Sequence, residues 1–195
     1  VDVTRPVLLR VAATETALST APVVHYGYPK VEDDFTEVVH VQGLSPESTW
    51  YYELEIDGVH YGPWSFTTAP SLESVGKIRV AFGSCAYVDD EPVFGAISTW
   101  DPDVFLFIGD NHYGNTADID AQRQYYRHAH TLPLRKDLMH QVSTLFTWDD
   151  HDYAGDNLDG TAAGKENALR VFGEYTANAS MGTADIPGVF TTQRY

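Results

Sequence analysis

Cysteine is all but missing from this chain. Cys85 is the single one in 195 residues, so no disulfide can staple the fold from within and a packed core must hold it together. A lone thiol fits a reducing compartment, and it equally fits an exported protein whose cysteine is taken up by a metal. Basic residues are scarce as well: 12 Lys and Arg stand against 28 Asp and Glu, a formal net charge of -16. Such a surface excludes nucleic acid or an anionic membrane as the main partner and suits a protein that tolerates or recruits cations. No apolar run is long enough to span a bilayer, and Val1–Thr4 has neither the basic segment nor the apolar stretch of an export signal. Internal repeats and low-complexity tracts are absent too. What is present is 43% hydrophobic and 13% aromatic residues, enough for a real core. The length allows one large domain, or a small one plus part of another.

From Val1 to about Pro70 the pattern is of short alternating runs. Val7–Val11, Val23–Tyr28, Glu37–Val41, Trp50–Ile56 and Trp64–Thr68 all read as strands, with Asp57-Gly58 as a strong hairpin signal before the last. No helical periodicity intervenes, so residues 1–70 are expected to form an all-β sandwich. Residues 71–76 read as a polar linker.

After the linker the period changes. Ile78–Cys85 reads as a buried strand ending in small residues. Glu91–Trp100 reads as a helix with Pro92 in its first turn and Pro102 beyond its end. Val104–Ile108, five apolar residues in a row, reads as a buried strand closed by Gly109. Asp118 to about His140 is helical with a break expected at Pro133, Val142–Trp148 is a third strand, and Lys165–Tyr175 is a final helix. Strands alternating with helices predict a parallel sheet. Residues 77–195 are thus expected to be an α/β domain with helices on the faces of its sheet.

Each of the three strands ends in a turn rich in ligand atoms: Cys85; Asp110 with Tyr113; Asp150 with His151. Strands of one parallel sheet deliver their C-terminal ends to one edge, so groups scattered in sequence converge in space. Any one turn alone has a bland explanation as a core thiol, a turn cap or an acidic loop. Three in one domain point to a metal centre, with Asp110 at its middle. His112 falls between two candidate ligands on the opposite side of the strand and reads as structural. His128, His130 and His140 read as solvated or packing residues.

Phe82-Gly83-Ser84-Cys85, Gly109-Asp110-Asn111-His112-Tyr113, Thr147-Trp148-Asp149-Asp150-His151-Asp152-Tyr153 and Asn167-Ala168-Leu169 together resemble the PhoD-like alkaline phosphatases, within the calcineurin-like metallophosphoesterases. The Leu44-Ser45-Pro46 turn before Trp50 also resembles that of fibronectin type III domains, with tryptophan where tyrosine is usual. The family resemblance implies a fibronectin type III-like sandwich followed by the first half of a metallophosphoesterase domain of mixed sheet. It implies hydrolysis of small-molecule phosphate esters, monoester or diester, at a dinuclear centre of Fe3+ and Ca2+. Cys85, Asp110 and Tyr113 would hold the iron; Asp110 would bridge to a calcium also held by Asp150 and Asn167; His151 would face the phosphate. Thiolate and phenolate suit the transition metal, and the all-oxygen set suits the hard cation. The resemblance also implies export, to the periplasm or beyond the cell.

Two departures stand out. His112 occupies a place that is usually aliphatic in the family motif. The family's remaining ligands belong to a second half of the sheet, for which Gly188–Tyr195 reads as the approach, so a completing chain or self-association is expected. A purple-acid-phosphatase-like enzyme is the nearest alternative, although its motifs carry Asp at position 85 and Asn-His at 150–151. A non-catalytic cation-binding or adhesion module is the alternative from another class.

Overall fold

The structure, a computed structural model, describes residues 5–87 and 91–193. The chain divides into two compact units, Val1–Gly76 and Lys77–Arg194.

In the first unit, β1 (Val7–Ala12), β2 (Val23–Gly27), β3 (Thr49–Ile56) and β4 (Val59–Thr67) form one antiparallel sheet in the order β2-β1-β3-β4. Asp57 and Gly58 close the β3–β4 hairpin with φ of 52° and 75°, the paired positive values that match the twist of the strands they join. Leu9, Val11 and Ala12 of β1 are buried together with Leu18 of a short 3-10 turn. Tyr52 lies directly opposite Trp64, with ring centroids 5.4 Å apart.

The expectation for Glu37–Val41 is corrected here, because these residues form no strand. Asp34 and Phe35, at φ of 51° and 59°, turn the chain ahead of them. Glu37 then reaches His25 of β2 through its side chain, at 3.0 Å, rather than through a backbone ladder. Among the described residues this unit therefore has one four-stranded sheet, where a sandwich of two was expected.

In the second unit, β5 (Val80–Gly83), β6 (Val104–Ile108) and β7 (Ser143–Thr147) form a three-stranded sheet in that order, parallel throughout. The alternation of strands and helices predicted this pairing: every connection among these three strands is a helical crossover, which leaves neighbours parallel. α1 (Glu91–Trp100) links β5 to β6, and α2 (Ile119–Thr131) with α3 (Pro133–Gln141) links β6 to β7. Asp118 caps α2 by accepting from the Ala121 N–H at 2.9 Å. The break between the helices falls at Pro133, whose ring forces Leu132 out of helical geometry (ψ 124°). α4 (Asp150–Tyr153) and α5 (Lys165–Tyr175) follow β7.

The core lies under one face of this sheet. Phe105 and Phe107 of β6 meet Phe94 of α1, Tyr126 of α2, Leu138 of α3, Phe146 of β7 and Val171 and Phe172 of α5. Phe107 and Phe146 stack at 4.4 Å with planes 2° apart. Burying each such ring contributes about 1.5–3 kcal/mol. The opposite face is buried at Val104 but not, as the run of apolar residues predicted, along its whole length: Phe82 is 68% and Ile108 43% exposed, with Val80 exposed beside them. Sequence periodicity reports that a strand is apolar on both sides, not what covers each side. Arg194 and Tyr195, the end of the expected approach to a further strand, lie outside the described residues.

Candidate metal centre

The site begins where β6 ends. Gly109 takes φ of 109°, and a Cβ there would lie 2.7 Å from the Asp149 Cβ. Only glycine permits both that conformation and the close passage of the β6 turn beside the β7 turn. Asp110 follows at φ of 50°, and Cys85 (58°) and Asn115 (50°) are also left-handed. Strained backbone gathered in this way at strand ends is typical of sites that must aim side chains. The β5 and β6 turns are bound together: the Cys85 N–H donates to Gly109 O at 3.2 Å and the Ala86 N–H to Asp110 O at 3.0 Å.

Asp110 is 6% exposed, and its Oδ1 is buried with no hydrogen-bond donor among the described residues. Orphaning a buried polar atom costs about 1–3 kcal/mol, more when charged. Ligand atoms of Asp110, Asp150 and His151 all lie within 4.8 Å of one another. A buried carboxylate with one unpaired oxygen, grouped with a second carboxylate and an imidazole, fits a metal ion, which would satisfy it. The donor set suits a hard or borderline cation.

Asp150 is held in place for this. Its Oδ1 accepts the His151 N–H at 2.9 Å and its Oδ2 the Asn157 N–H at 2.5 Å. The Asn157 N–H is the main reason its carboxyl is held below the ordinary range, and the His151 N–H adds to it. His151 Nδ1 lies 2.6 Å from Asn115 Oδ1, and Asn115 also donates its backbone N–H to His151 O at 3.2 Å. The Asn115 Nδ2 donates to Tyr113 O at 3.4 Å, which orients the amide with its oxygen toward the imidazole. With the amide so placed Nδ1 is the donor, and Nε2 stands 3.7 Å from Asp156 Oδ1.

Tyr113 lies among these groups. Desolvation, the Cys85 thiol and the Asp110 carboxylate all push its hydroxyl well above the usual tyrosine range. Its ring is 4.4 Å from that of His151 and 5.0 Å from that of Tyr87. Cys85 itself is exposed. The structure thus draws Asp110, Asp150 and His151 into one group and sets Tyr113 between Asp110 and Cys85, whose Sγ donates to Ser84 Oγ at 3.4 Å. The Asn167 Nδ2 donates to Ala117 O at 3.0 Å, tying the start of α5 to the loop that follows Tyr113.

Beneath these residues is a buried polar layer that sequence reasoning left unassigned. Asn111, Gln122, Arg135 and Asp152 are all within 1% of complete burial. Burial raises the Asp152 carboxyl to about 6. Arg135 sits over the Phe107 and Phe94 rings, at 4.7 and 5.6 Å, and donates from Nη1 to Asn111 O at 2.8 Å. The one available signal was spacing, since Asp149 and Asp152 stand at the separation of a capping box, which they form. His112 is buried against Tyr125 and Tyr126, accepts the Gly114 N–H on Nδ1 at 3.1 Å, and is lowered to about 4 by burial and by Arg135. It stays neutral, in keeping with a structural role. His130 packs among Tyr126, Phe146 and Tyr175. Beside Asp150 a cavity of about 340 Å³ opens, lined by Trp148, Asp149, Tyr153, Leu158, Asp159 and Gly160.

This fold, a parallel sheet preceded in sequence by an antiparallel one, is shared with two solved structures. Specifically, the chain is similar to PhoD, with a TM-score of 0.78 and 16% identity over 95% of this chain and 42% of that one. It is similar also to the purple acid phosphatase PPD1 isolated from yellow lupin (Lupinus luteus) seeds, with a TM-score of 0.57 and 13% identity over 87% of this chain and 36% of that one. The chain spans less than half the length of either. No family model and no curated protein matches the sequence.

Proposed function

We propose that residues 77–195 carry part of the active site of a metal-dependent phosphoesterase that acts on small-molecule phosphate monoesters or diesters. The observation that carries this reading is the buried Asp110 carboxylate, unpaired at Oδ1 and grouped with Asp150 and His151, on a fold shared with two phosphoesterases. Asp110, Cys85 and Tyr113 would hold one metal, Fe3+ by resemblance. Asp110, Asp150 and Asn167 would hold a second, Ca2+. Bound metals polarise a phosphoryl oxygen and supply a water acidic enough to attack it. Asp150, kept ionised by the Asn157 and His151 N–H groups, presents its charge without needing to lose a proton. His151 offers Nε2, its Nδ1 being committed to Asn115, and can either ligate or hydrogen-bond the substrate phosphate. Asp110 cannot relax away from its task, because Gly109 and the Ala86 N–H fix its backbone.

The rest of the chain supports this role. Residues 1–70, joined through 71–76, are read as a fibronectin type III-like positioning module. Phe82, Val80 and Ile108, exposed on the open face of the parallel sheet, suit coverage by further protein, from a completing chain or a second copy. Export to the periplasm or outside the cell follows from the same resemblance.

The test is Asp110→Asn in the intact protein. Hydrolysis of p-nitrophenyl phosphate and its bis-ester should fall at least a hundredfold, about 2.7 kcal/mol at 1.36 kcal/mol per tenfold, and bound metal should be lost. Unchanged hydrolysis and metal content would refute the reading. If Tyr113 ligates ferric iron, the protein is coloured and Tyr113→Phe bleaches it. A colourless, calcium-loaded, inactive protein would favour the adhesion module instead.

A further inference from the structure

The turn after β6 carries Asp110, and the turn after β7 carries Asp150 and His151. The ladder between these strands has its last pair at Ile108 and Thr147; beyond it the backbones meet through the Asn115 N–H and His151 O, and side chains supply the remaining alignment. One buried carboxylate does so. Asp152 Oδ1 accepts the His112 backbone N–H at 2.9 Å; its Oδ2 accepts Asn111 Nδ2 at 3.0 Å and the Asp149 backbone N–H at 3.2 Å. Asn111 Nδ2 also donates to Thr147 O at 2.8 Å, at the last residue of β7. Gln122 Nε2 spans Asp152 O (2.7 Å) and Thr116 O (2.6 Å), and Arg135 holds Asn111 O from the far side.

A helix cap alone does not account for this arrangement. The capping box needs only the bond from the Asp149 N–H, and caps of that kind are ordinarily made at the surface. Burying a carboxylate costs several kcal/mol unless donors surround it. Two of the three donors here come from the Asp110 turn, which capping does not require.

We propose that Asp152 is a positioning residue for the metal centre: by accepting from Asn111, His112 and Asp149 at once, it locks the turn bearing Asp110 to the turn bearing Asp150 and His151. The inference rests on reading those three residues as ligands. Asn111 is its partner in the lock, and Gln122 and Arg135 hold the lock to α2 and α3. Such outer contacts commonly govern metal affinity by ten- to a hundredfold without touching the ion.

The experiment uses the intact protein, stripped with chelator and titrated with Mn2+, followed by electron paramagnetic resonance, with circular dichroism melts alongside. Asp152→Asn keeps the volume but turns one acceptor into a donor facing donors. It should fold, bind Mn2+ about 10–100-fold more weakly, and give broadened lines from a heterogeneous ligand set. Asn111→Ala, which deletes one side of the lock, should weaken binding in the same direction by less, and it decides the matter should Asp152→Asn fail to fold. Wild-type affinity and line shape in a folded Asp152→Asn, or in Asn111→Ala, would overturn the proposal. So would a failure of both variants to fold, which would assign Asp152 to stability alone. Mn2+ binding abolished by Asp110→Asn yet intact in these variants sinks the positioning role and leaves the metal reading standing. No binding by the wild-type protein sinks both.

Discussion

The two compact units solve the problem of polar atoms in opposite ways. In the N-terminal sheet the described buried side chains are apolar, Leu9, Val11, Ala12 and Leu18 among them. Its charges meet at the half-covered surface, as where Arg10 donates to Glu55 at 2.7 Å. In the C-terminal unit Asp110, Asn111, His112, Gln122, Arg135 and Asp152 are all buried. In the N-terminal unit the described residues include no fully buried polar side chain, only covered ring nitrogens such as Trp50 Nε1. The concentration of the C-terminal unit's buried polar groups beneath one sheet edge means that position, rather than stability, selects them.

The largest effect should come from the wall between these polar groups and the aromatic core. Phe107 stacks on Phe146, touches Phe94 and Phe105 and lies 4.7 Å under the Arg135 guanidinium. Phe107→Ala should cost about 3–5 kcal/mol, the cavity being compounded by a buried cation that loses its cover. Leu9→Ala, on a one-sided sheet that can settle into the gap, should cost about 2 kcal/mol. Chemical denaturation measures both, and amide exchange should place the first loss in β5–β7 and the second in β1–β3. Equal costs would erase the contrast between the units.

Next in size is a pH effect confined to the C-terminal unit. His130 is lowered to about 3 by burial, with the Arg135 charge and His112 adding to it, and Tyr126, Phe146 and Tyr175 surround it. The unfolded chain therefore takes up a proton near pH 6.5 that the folded one refuses. Its contribution is fully present above pH 6.5 and is lost as pH falls toward 3, by about 1.4 kcal/mol per unit. His130→Phe should flatten the acid side of the stability profile between pH 6.5 and 4. An unchanged slope would show that the imidazole is accommodated as a cation.

Much of this was legible in the sequence, for local reasons. Gly109 after five apolar residues marked the end of β6, Pro133 the break between α2 and α3, and Asp57-Gly58 the hairpin, because each is a constraint on its own backbone. Asp110, Asp150 and His151 could be singled out because strand ends in a parallel sheet share an edge. Four features were not legible. Glu37–Val41 has a strand's alternation, but its glutamate is taken up by His25. Phe82 and Ile108 read as interior because periodicity cannot say which face is covered. Asp152 and Arg135 look like ordinary surface charges until the packing of α2, α3 and α4 against the sheet buries them, and Asn115 gains its hold on His151 only through a left-handed turn.

The smallest effect tests the N-terminal unit where it is most self-sufficient. Gly58 has φ of 75°, and a Cβ there would meet nothing within 4 Å. Gly58→Ala therefore introduces no clash with a neighbour, and its whole effect is the intrinsic cost of a left-handed alanine, about 1 kcal/mol. Gly109→Ala carries the same backbone cost plus the 2.7 Å approach to Asp149, so it should displace the Asp110 turn as well. The pair separates conformation from position: melting of Gly58→Ala should fall by a few degrees with metal binding intact, whereas Gly109→Ala should lose metal affinity out of proportion to its loss of stability. If the two variants lost stability and Mn2+ affinity in the same ratio, the β6 turn would be no more than a turn, and the contrast between the two units would be one of composition alone.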